Sequence, residues 1–288
     1  MESLFRTARA LKKNRSHRKD LESRTLGLVF SKPSTRTRIS FEVAMAELGG
    51  RTTFMRETEV GMGEREEIRD VARTLSRYLA GIVVRTHSQR HLEELARYSS
   101  VPVINGLSES HHPCQALADL FTIWELKGGF RGITLSYVGD GNNVLNSLLM
   151  GASRLGLNVC VASPKGYGPK PSLIRMAGKA ARRAGGALEV GEDPKKAVRE
   201  ADFVYTDVWT SMGFEEERDE RIKAFRPYQL NAGLVAHAKK GVRVMHCLPA
   251  HRGEEITGAV IDGPKSIVFE QAENRLHVQK AILLDLLK

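Results

Sequence analysis

The sequence predicts an α/β protein built from two doubly wound domains, each a parallel sheet flanked by helices. Two observations predict this class. Short apolar runs alternate with longer helical patterns along most of the chain, which is typical of parallel sheets covered on both faces. Lys127-Gly128-Gly129 then interrupts the alternation near its middle. We therefore expect one domain over residues 1–127 and a second domain after residue 128.

The individual elements follow from apolar spacing. Runs of apolar and β-branched residues predict buried strands, whereas apolar residues three or four positions apart predict helices. The strands are predicted at Leu26–Phe30, Thr52–Met55, Gly81–Arg85, Pro102–Asn105, Thr134–Val138, Asn158–Ala162, Phe203–Thr206 and Val242–His246. The helices are predicted at about Thr35–Leu48, Ile68–Leu79, Leu92–Tyr98, His112–Leu126, Asn143–Leu155, Ser172–Gly185, Asn231–Ala238 and Glu273–Leu287. In such sheets ligands bind at the carboxyl ends of the strands, so the loops that follow strands are the places to search.

Composition excludes several classes of protein. A chain of 288 residues that is 41% hydrophobic is too apolar to be disordered. Its three cysteines, Cys114, Cys160 and Cys247, contain no CxxC pair and give no disulfide framework. No apolar stretch approaches the roughly 18 to 20 residues of a membrane span, and the N-terminus lacks the apolar core of a signal peptide. We expect a cytoplasmic protein with no membrane association.

The charge of the chain leaves two classes of partner open at first. A formal net charge of +10 is typical of proteins that bind nucleic acid or small anions. The basic excesses over residues 1–24 and 170–199 are not interleaved with aromatic residues, which form only 6% of the chain. Stacking platforms for nucleic-acid bases need such aromatics. We therefore interpret these segments as solvated helix faces and predict no nucleic-acid partner.

The loop after the first predicted strand carries a candidate anion site. Three hydroxyl residues and an arginine, Ser34, Thr35, Arg36 and Thr37, stand together where a helix begins. Free backbone N–H groups and the helix dipole attract anions at this position, and a guanidinium binds phosphate in a bidentate manner. Simple capping by Ser34 or Thr35 explains one hydroxyl. It does not explain the whole cluster, so we favour an anion site.

Two further loops of the first half carry polar side chains. Arg85 ends a buried strand, where an arginine is either a ligand contact or part of a structural ion pair. The next strand is followed by His111-His112-Pro113-Cys114-Gln115, and Pro113 suits the first turn of a helix. The spacing matches no zinc pattern, so we predict no metal and expect an imidazole that polarises a carbonyl group.

The second half offers candidates for an amino-acid ligand. Gly139-Asp140-Gly141-Asn142-Asn143 begins like a dinucleotide fingerprint, but Val144 stands where the third glycine is required. Asn142 and Asn143 suit either a carboxylate ligand or a helix cap. Asp207, at a strand tip, suits an ammonium group. Cys247 follows another strand and is a nucleophile, a polar lining group or a small buried hydrophobe.

Taken together, these loops resemble those of the aspartate/ornithine transcarbamoylase family, and the resemblance covers nearly the whole chain from Leu26 to Leu287. Six ordered motifs carry it: KPSTRTRISFE (32–42), HHPCQALADL (111–120), GDGNN (139–143), DVWTSMG (207–213), MHCLPAHRGEEI (245–256) and FEQAENR (269–275). The first is shared with aspartate-type members. The HCLP and D-x-x-x-S-M-G motifs are the ornithine-type pattern and therefore decide the expected substrate.

The resemblance implies transfer of a carbamoyl group from carbamoyl phosphate to the δ-amine of L-ornithine, giving L-citrulline and phosphate. This reaction belongs to arginine biosynthesis or a urea-type pathway and needs no cofactor or metal. The first domain, residues 1–127, is expected to bind carbamoyl phosphate, and the second, residues 128–272, to bind ornithine. The final helix, residues 273–288, is expected to return to the first domain. The family forms homotrimers or multiples of trimers, with a loop of one subunit reaching the site of its neighbour.

The resemblance also implies a role for individual residues. The phosphate is expected to lie against Ser34, Thr35, Arg36 and Thr37. The carbamoyl group is expected to contact Arg85, His112, Gln115, Cys247, the backbone of Leu248, and Arg275. The amino-acid end of ornithine is expected to contact Asn143, Asp207, Ser211 and the backbone of Met212. The expected catalytic residues are Arg36, Arg85, His112, Asp207 and Cys247.

One departure from the family lies in the loop expected to reach the neighbouring subunit, residues 58–67. Many members have a glutamine where this chain has Gly61. Backbone groups, or Glu64 and Arg65, are the candidates to replace it. The nearest rival function is transfer to a different amine such as N-acetylornithine or putrescine. Asp207 and the Ser-Met-Gly segment favour a free α-amino group.

Overall fold

The structure, a computed structural model, describes residues 1–16, 18–210 and 215–288. The chain divides into two compact units, Met1–Phe121 with Glu273–Lys288, and Thr122–Ala272. Each unit contains a parallel sheet flanked by helices, so the predicted fold class is confirmed. The division falls earlier in the chain than the predicted boundary after residue 127. Among the described residues, no helix combines the length and the apolar character needed to cross a membrane.

The first unit contains four strands. They are β1 (Thr25–Phe30), β2 (Arg51–Arg56), β3 (Gly81–Arg85) and β4 (Val103–Leu107). The helices that begin in this unit are α1 (Glu2–Lys13), α2 (Thr35–Glu47), α3 (Glu57–Val60), α4 (Ile68–Tyr78), α5 (Gln89–Tyr98) and α6 (Pro113–Lys127). The last helix, α13 (Val268–Leu287), contributes its residues from Glu273 onward.

The order of the first sheet brings two of the predicted loops together. The strands are arranged β2-β1-β3-β4 and all pair in parallel. Phe30, the last residue of β1, lies opposite Arg85, the last residue of β3. The backbone N–H of Ser31 then donates to the Arg85 carbonyl at 2.8 Å. The loop that leads into α2 therefore starts beside Arg85.

The basic N-terminal segment forms part of the core of this unit. Phe5, Ala8 and Leu11 of α1 are buried, and the Phe5 ring lies 5.8 Å from that of Phe121. Arg15, which follows the helix, pairs with Glu47 at 2.7 Å. The apolar face of α1 stabilises the unit by burial. This helix was not predicted, because its apolar positions stand among many charged residues.

The described residues of the second unit form five strands. They are β5 (Thr134–Val138), β6 (Asn158–Ala162), β7 (Leu188–Gly191), β8 (Phe203–Thr206) and β9 (Arg243–His246). The helices are α7 (Asn143–Arg154), α8 (Pro171–Arg183), α9 (Pro194–Val198), α10 (Arg218–Phe225), α11 (Ala232–Val235) and α12 (Gly258–Ile261). The order β7-β6-β5-β8-β9 is parallel throughout, and Thr206 at the end of β8 lies opposite His246 at the end of β9. The loops after β5, β8 and β9 therefore leave one edge side by side.

Like α1, the helices α3, α9, α10 and α12 were not predicted, and three further elements differ from the predictions. Strand β7 was not predicted, because it lies at the edge of the sheet and its residues alternate between half-buried and exposed. The helix predicted over Asn231–Ala238 is a single turn, α11. Helix α13 begins at Val268 rather than Glu273. These differences leave the ends of the central strands, and hence the candidate loops, in place.

Candidate active site

The start of α2 is built to receive an anion. Ser34 is the N-cap, and its hydroxyl accepts from the backbone N–H of Thr37 at 3.4 Å. Capping thus occupies the hydroxyl of Ser34, whereas Thr35 and Arg36 begin the first turn with an exposed and a half-buried side chain. The first-turn N–H groups and the helix dipole favour a negative charge here.

Guanidinium groups surround an uncharged imidazole in the same unit. Arg85 is 8% exposed, and burial together with Arg275 and Arg36 lowers its pKa to about 10. His112 is buried at the start of α6, and burial with Arg275, Arg85 and Arg36 holds its pKa well below the ordinary value. The lowered pKa of His112 favours its neutral imidazole beside these guanidinium groups. We call Arg36, Arg85, Arg275 and His112 the cation cluster.

Arg275 is oriented by residues from two other helices. Its Nη2 donates to the hydroxyl of Thr37 at 3.1 Å, and its Nη1 donates to Oε1 of Gln115. Gln115 in turn donates from Nε2 to the buried carboxylate of Asp119 at 2.8 Å. This last bond fixes which end of the Gln115 amide faces Arg275. Asp119 was not among the predicted residues, since a buried acid on a helix has the same sequence pattern as an exposed one.

The cluster suits a dianion that carries a carbonyl group. Mutual repulsion among the arginines is relieved by phosphate, and planar guanidinium groups match its oxygens. A neutral imidazole can form a hydrogen bond to a carbonyl without adding another positive charge.

The second unit holds a polar network at the ends of β5, β8 and β9. Asp207 is 5% exposed, and its Oδ2 accepts from Nδ2 of Asn142 at 2.7 Å. Its Oδ1 accepts from Sγ of Cys247 at 3.0 Å. Asn142 also caps α7, accepting at Oδ1 from the N–H groups of Val144 and Leu145. We call Asn142, Asp207 and Cys247 the Asp207 network.

A buried histidine–glutamate pair shapes the loop that carries Cys247. Both His246 and Glu255 are fully buried, and Nε2 of His246 lies 3.1 Å from Oε1 of Glu255. Because Nδ1 of His246 accepts from the N–H of Leu248 at 2.9 Å, the ring proton is assigned to Nε2, which donates to the carboxylate. Leu248 has a φ of 57°, a conformation that non-glycine residues adopt only under constraint. The pair, which the sequence analysis missed, supplies that constraint.

Within the part of the chain that the structure describes, two groups of side chains offer donor atoms for a metal ion. They are Asp207, His246 and Cys247, and His251, Glu254 and Glu255. In the first group both ring nitrogens of His246 already form hydrogen bonds. In the second, Glu254 is paired with Arg218 and Glu255 with His246. A metal ion would have to replace these partners.

Asn143, Ser211 and Met212 are the remaining residues predicted to contact ornithine. Asn143 is half-buried as the first residue of α7, beside the Asn142 cap, and its contact with a ligand stays a prediction. Ser211 and Met212 lie outside the described residues.

The conformation of the chain at position 61 favours the glycine that stands there in place of the family's glutamine. Gly61 ends α3 with a φ of 67°, a left-handed conformation that favours glycine. A Cβ atom there would lie 2.8 Å from Cβ of Arg65. The Arg65 side chain packs over Gly61 and donates to the Glu59 carbonyl at 3.0 Å. A larger residue at position 61 would require this side chain to move.

Two α/β units, one with a cation cluster and the other with a polar network at its strand ends, indicate the class of α/β enzymes that bind small charged ligands at the carboxyl ends of their strands. Two family models match the chain. The carbamoyl-phosphate-binding domain of aspartate/ornithine carbamoyltransferase matches residues 1–125, and the aspartate/ornithine-binding domain matches residues 131–286. The chain belongs to the aspartate/ornithine carbamoyltransferase family.

Individual relatives are similar over almost their whole length. Ornithine carbamoyltransferase of Bacillus thuringiensis subsp. konkukian is 54% identical over 286 residues, covering 99% of this chain and 90% of the relative. A Pyrococcus furiosus protein named ornithine carbamoyltransferase, anabolic, is 55% identical over 263 residues, covering 91% and 84%. The solved structure of ornithine carbamoyltransferase from Pyrococcus furiosus has a TM-score of 0.95 at 51% identity, covering 99% and 92%. The resemblance drawn from the six motifs is confirmed.

Proposed function

We propose that the protein is a carbamoyltransferase that acts on ornithine. It transfers the carbamoyl group of carbamoyl phosphate to the δ-amine of L-ornithine, giving L-citrulline and phosphate. The observation that carries this function is the cation cluster, in which guanidinium groups surround a neutral imidazole. A dianionic acyl phosphate, in which a carbonyl group is bonded directly to the phosphate oxygen, is the ligand chemistry that such a cluster favours.

In the first unit, carbamoyl phosphate places its phosphate at the start of α2, against Ser34, Thr35, Arg36 and Thr37. The carbonyl oxygen of the carbamoyl group faces Arg85 and His112. These groups stabilise the negative charge that develops on that oxygen as the carbonyl carbon becomes tetrahedral. Gln115 and Arg275 orient the carbamoyl group, which the bonds linking Gln115, Arg275 and Asp119 support.

In the second unit, Asp207 accepts from an ammonium or amine group of ornithine, and Asn143, the first residue of α7, contacts the same ligand. Cys247, which already donates to Asp207, orients the same ligand. The backbone of Leu248 adds a polar group whose position the His246–Glu255 pair fixes. Ser211 and Met212 are proposed ornithine contacts on the resemblance alone.

The reaction requires a neutral amine. An aliphatic amine has a pKa near 10.4, so only about one molecule in a thousand is neutral near pH 7.5. The lone pair of the δ-amine forms the new C–N bond, and the C–O bond to phosphate breaks. The amine proton passes to the departing phosphate, so that neither a cofactor nor a metal is required. Positioning and charge stabilisation provide the rate acceleration.

One assay tests the function directly. The enzyme is mixed with carbamoyl phosphate and, in turn, ornithine, aspartate, N-acetylornithine or putrescine, and the ureido product is measured. We expect citrulline from ornithine at a rate at least tenfold above that with any other amine, since Asp207 favours a free α-amino group. No citrulline from ornithine would contradict the proposal. Preference for N-acetylornithine or putrescine would reassign the substrate.

We also propose that the protein is a homotrimer or a multiple of trimers. A cavity of about 550 Å³ opens on the first unit, and its lining includes Ser34 and Thr35 as well as Ile39 and Phe54. The Ile39 side chain is 51% exposed. A second copy of the chain would bury this surface. Light scattering should give a mass of three times 32.0 kDa or a multiple of it, and Ile39→Asp should lower that mass.

The name of one relative and the state of the cysteines bear on the cellular role of the protein. The Pyrococcus relative is named anabolic, which supports a place in arginine biosynthesis for this chain. We propose a cytoplasmic location, since the three cysteines are free thiols in the structure. Localisation of the tagged full chain in its host cell, and arginine auxotrophy on its deletion, test these two statements.

A further inference from the structure

A buried arginine lies behind the Asp207 network. Arg221 of α10 is 5% exposed, and its Nη1 lies 3.1 Å from Oδ2 of Asp140. The same Nη1 donates to the Trp209 carbonyl at 2.9 Å. Its guanidinium carbon lies over the Tyr167 ring, 5.0 Å from the centroid. One side chain thus contacts the loops that follow β5, β6 and β8.

Two of these contacts lie close along the chain to residues of the Asp207 network. Asp140 stands two positions before Asn142, and Trp209 stands two positions after Asp207. Asn142 and Asp207 are the two residues joined by the 2.7 Å hydrogen bond. Arg221 therefore holds both loops next to the residues that face each other across that bond.

The loops around Arg221 are closely packed. The N–H of Gly141 donates to the Tyr167 carbonyl at 2.7 Å, and a Cβ on Gly141 would lie only 2.5 Å from the backbone of Gly168. Burial raises the pKa of Asp140 to about 6, against the opposing effect of Arg221. A buried carboxylate whose charge is disfavoured depends on its cation, so loss of Arg221 would release both loops.

We propose that Arg221 is a positioning residue for ornithine binding, which sets the relative placement of Asn142 and Asp207 through Asp140 and the Trp209 carbonyl. This inference rests on the proposed function. A role in ornithine binding predicts a selective effect on one substrate. A role in folding alone predicts lower stability with unchanged kinetic constants.

Arg221→Lys tests the proposal, because lysine keeps the charge but loses the planar donor group. We expect KM for ornithine to rise about tenfold, in proportion to one weakened charge-assisted hydrogen bond, while KM for carbamoyl phosphate stays within twofold. Arg218→Lys is the matched control on the same helix, since Arg218 pairs with Glu254 at the surface. Its kinetic constants should match those of the wild type.

An unchanged ornithine KM in Arg221→Lys, or equal changes for both substrates, would overturn the proposal. Should that variant fail to fold, Asp140→Asn gives the second measurement, with a raised ornithine KM and an unchanged carbamoyl phosphate KM expected. Equal or absent effects there overturn the proposal as well. Failure of the wild-type protein to make citrulline would instead count against the proposed function, so the two failures are distinguishable.

Discussion

Replacing Asp207 by asparagine removes one negative charge from the Asp207 network with almost no change in size. Asn142 cannot rotate its amide to compensate, because its Oδ1 accepts from two backbone N–H groups of α7. The new asparagine must therefore direct its oxygen at Asn142 and its NH₂ group at Cys247. Cys247 then loses its carboxylate acceptor, and ornithine loses its counter-charge. A hydrogen bond to a charged group contributes about 1.5–3 kcal/mol, so kcat/KM for ornithine should fall by about 10- to 150-fold.

Steady-state citrulline formation at saturating carbamoyl phosphate measures this effect. Asp202 provides a matched control, since it precedes β8 whereas Asp207 follows it. Asp202 accepts from the N–H of Thr134 and from Lys239, both at 3.0 Å. Asp202→Asn should change stability slightly and leave both KM values within twofold.

An exchange of the two side chains separates a structural role of Asp207 from a role in binding. In Asn142→Asp/Asp207→Asn, the aspartate still caps α7 and accepts from the new asparagine. The melting temperature should therefore recover toward that of the wild type, whereas the ornithine KM should remain raised. An ornithine KM within twofold of wild type in Asp207→Asn, or full kinetic recovery in the exchange variant, would refute the reasoning.

Four further outcomes follow from the geometry. Arg275→Lys should lower kcat/KM for carbamoyl phosphate by roughly 10- to 100-fold, because lysine cannot form both hydrogen bonds of the guanidinium. An unchanged value would contradict the assignment of Arg275 to the carbamoyl phosphate site. Cys247→Ser should raise the ornithine KM or lower turnover, and wild-type values of both would exclude an orienting role. Phe5→Ala should reduce the free energy of unfolding by about 3–5 kcal/mol in urea titrations without changing either KM. Activity should rise from pH 7 toward pH 9 as the δ-amine loses its proton. The affinity for carbamoyl phosphate should fall above about pH 10, where Arg85 loses its charge. An affinity that is maintained at pH 11 would contradict the assignment of Arg85 to the carbamoyl phosphate site.

Buried parallel strands were the most predictable part of the fold. Gly81–Arg85, Thr134–Val138 and Phe203–Thr206 have the predicted bounds, because each is a fully buried strand with an apolar sequence. Strand β7 shows the limit of this signal. An edge strand with one exposed face has only two apolar residues, Leu188 and Val190, and resembles a loop in the sequence.

The candidate site was predictable in location but not in hydrogen bonding. The rule that ligands bind at the carboxyl ends of parallel strands directed attention to Arg85, Asp207 and Cys247. The sequence could not identify the buried carboxylates that accept hydrogen bonds from neighbouring side chains. Asp119 and Glu255 are acids in helical or loop patterns, and only packing reveals that each is fully buried against a site residue.

The cation cluster of the first unit and the Asp207 network of the second unit differ in how their charges are balanced, and this difference supports the ligand proposed for each. In the cation cluster, both burial and neighbouring arginines disfavour the charged form of Arg85, so the unliganded protein holds positive charges at close range against their repulsion. A phosphate dianion reverses this balance, because it provides the counter-charge that burial denies. In the Asp207 network, by contrast, one carboxylate accepts hydrogen bonds from an amide and a thiol, an arrangement that favours a cationic or amine ligand. Only three of the 44 lysines and arginines, Arg36, Arg85 and Arg275, form the cation cluster, so the setting that favours a phosphate comes from the placement of these side chains and not from the net charge of the chain.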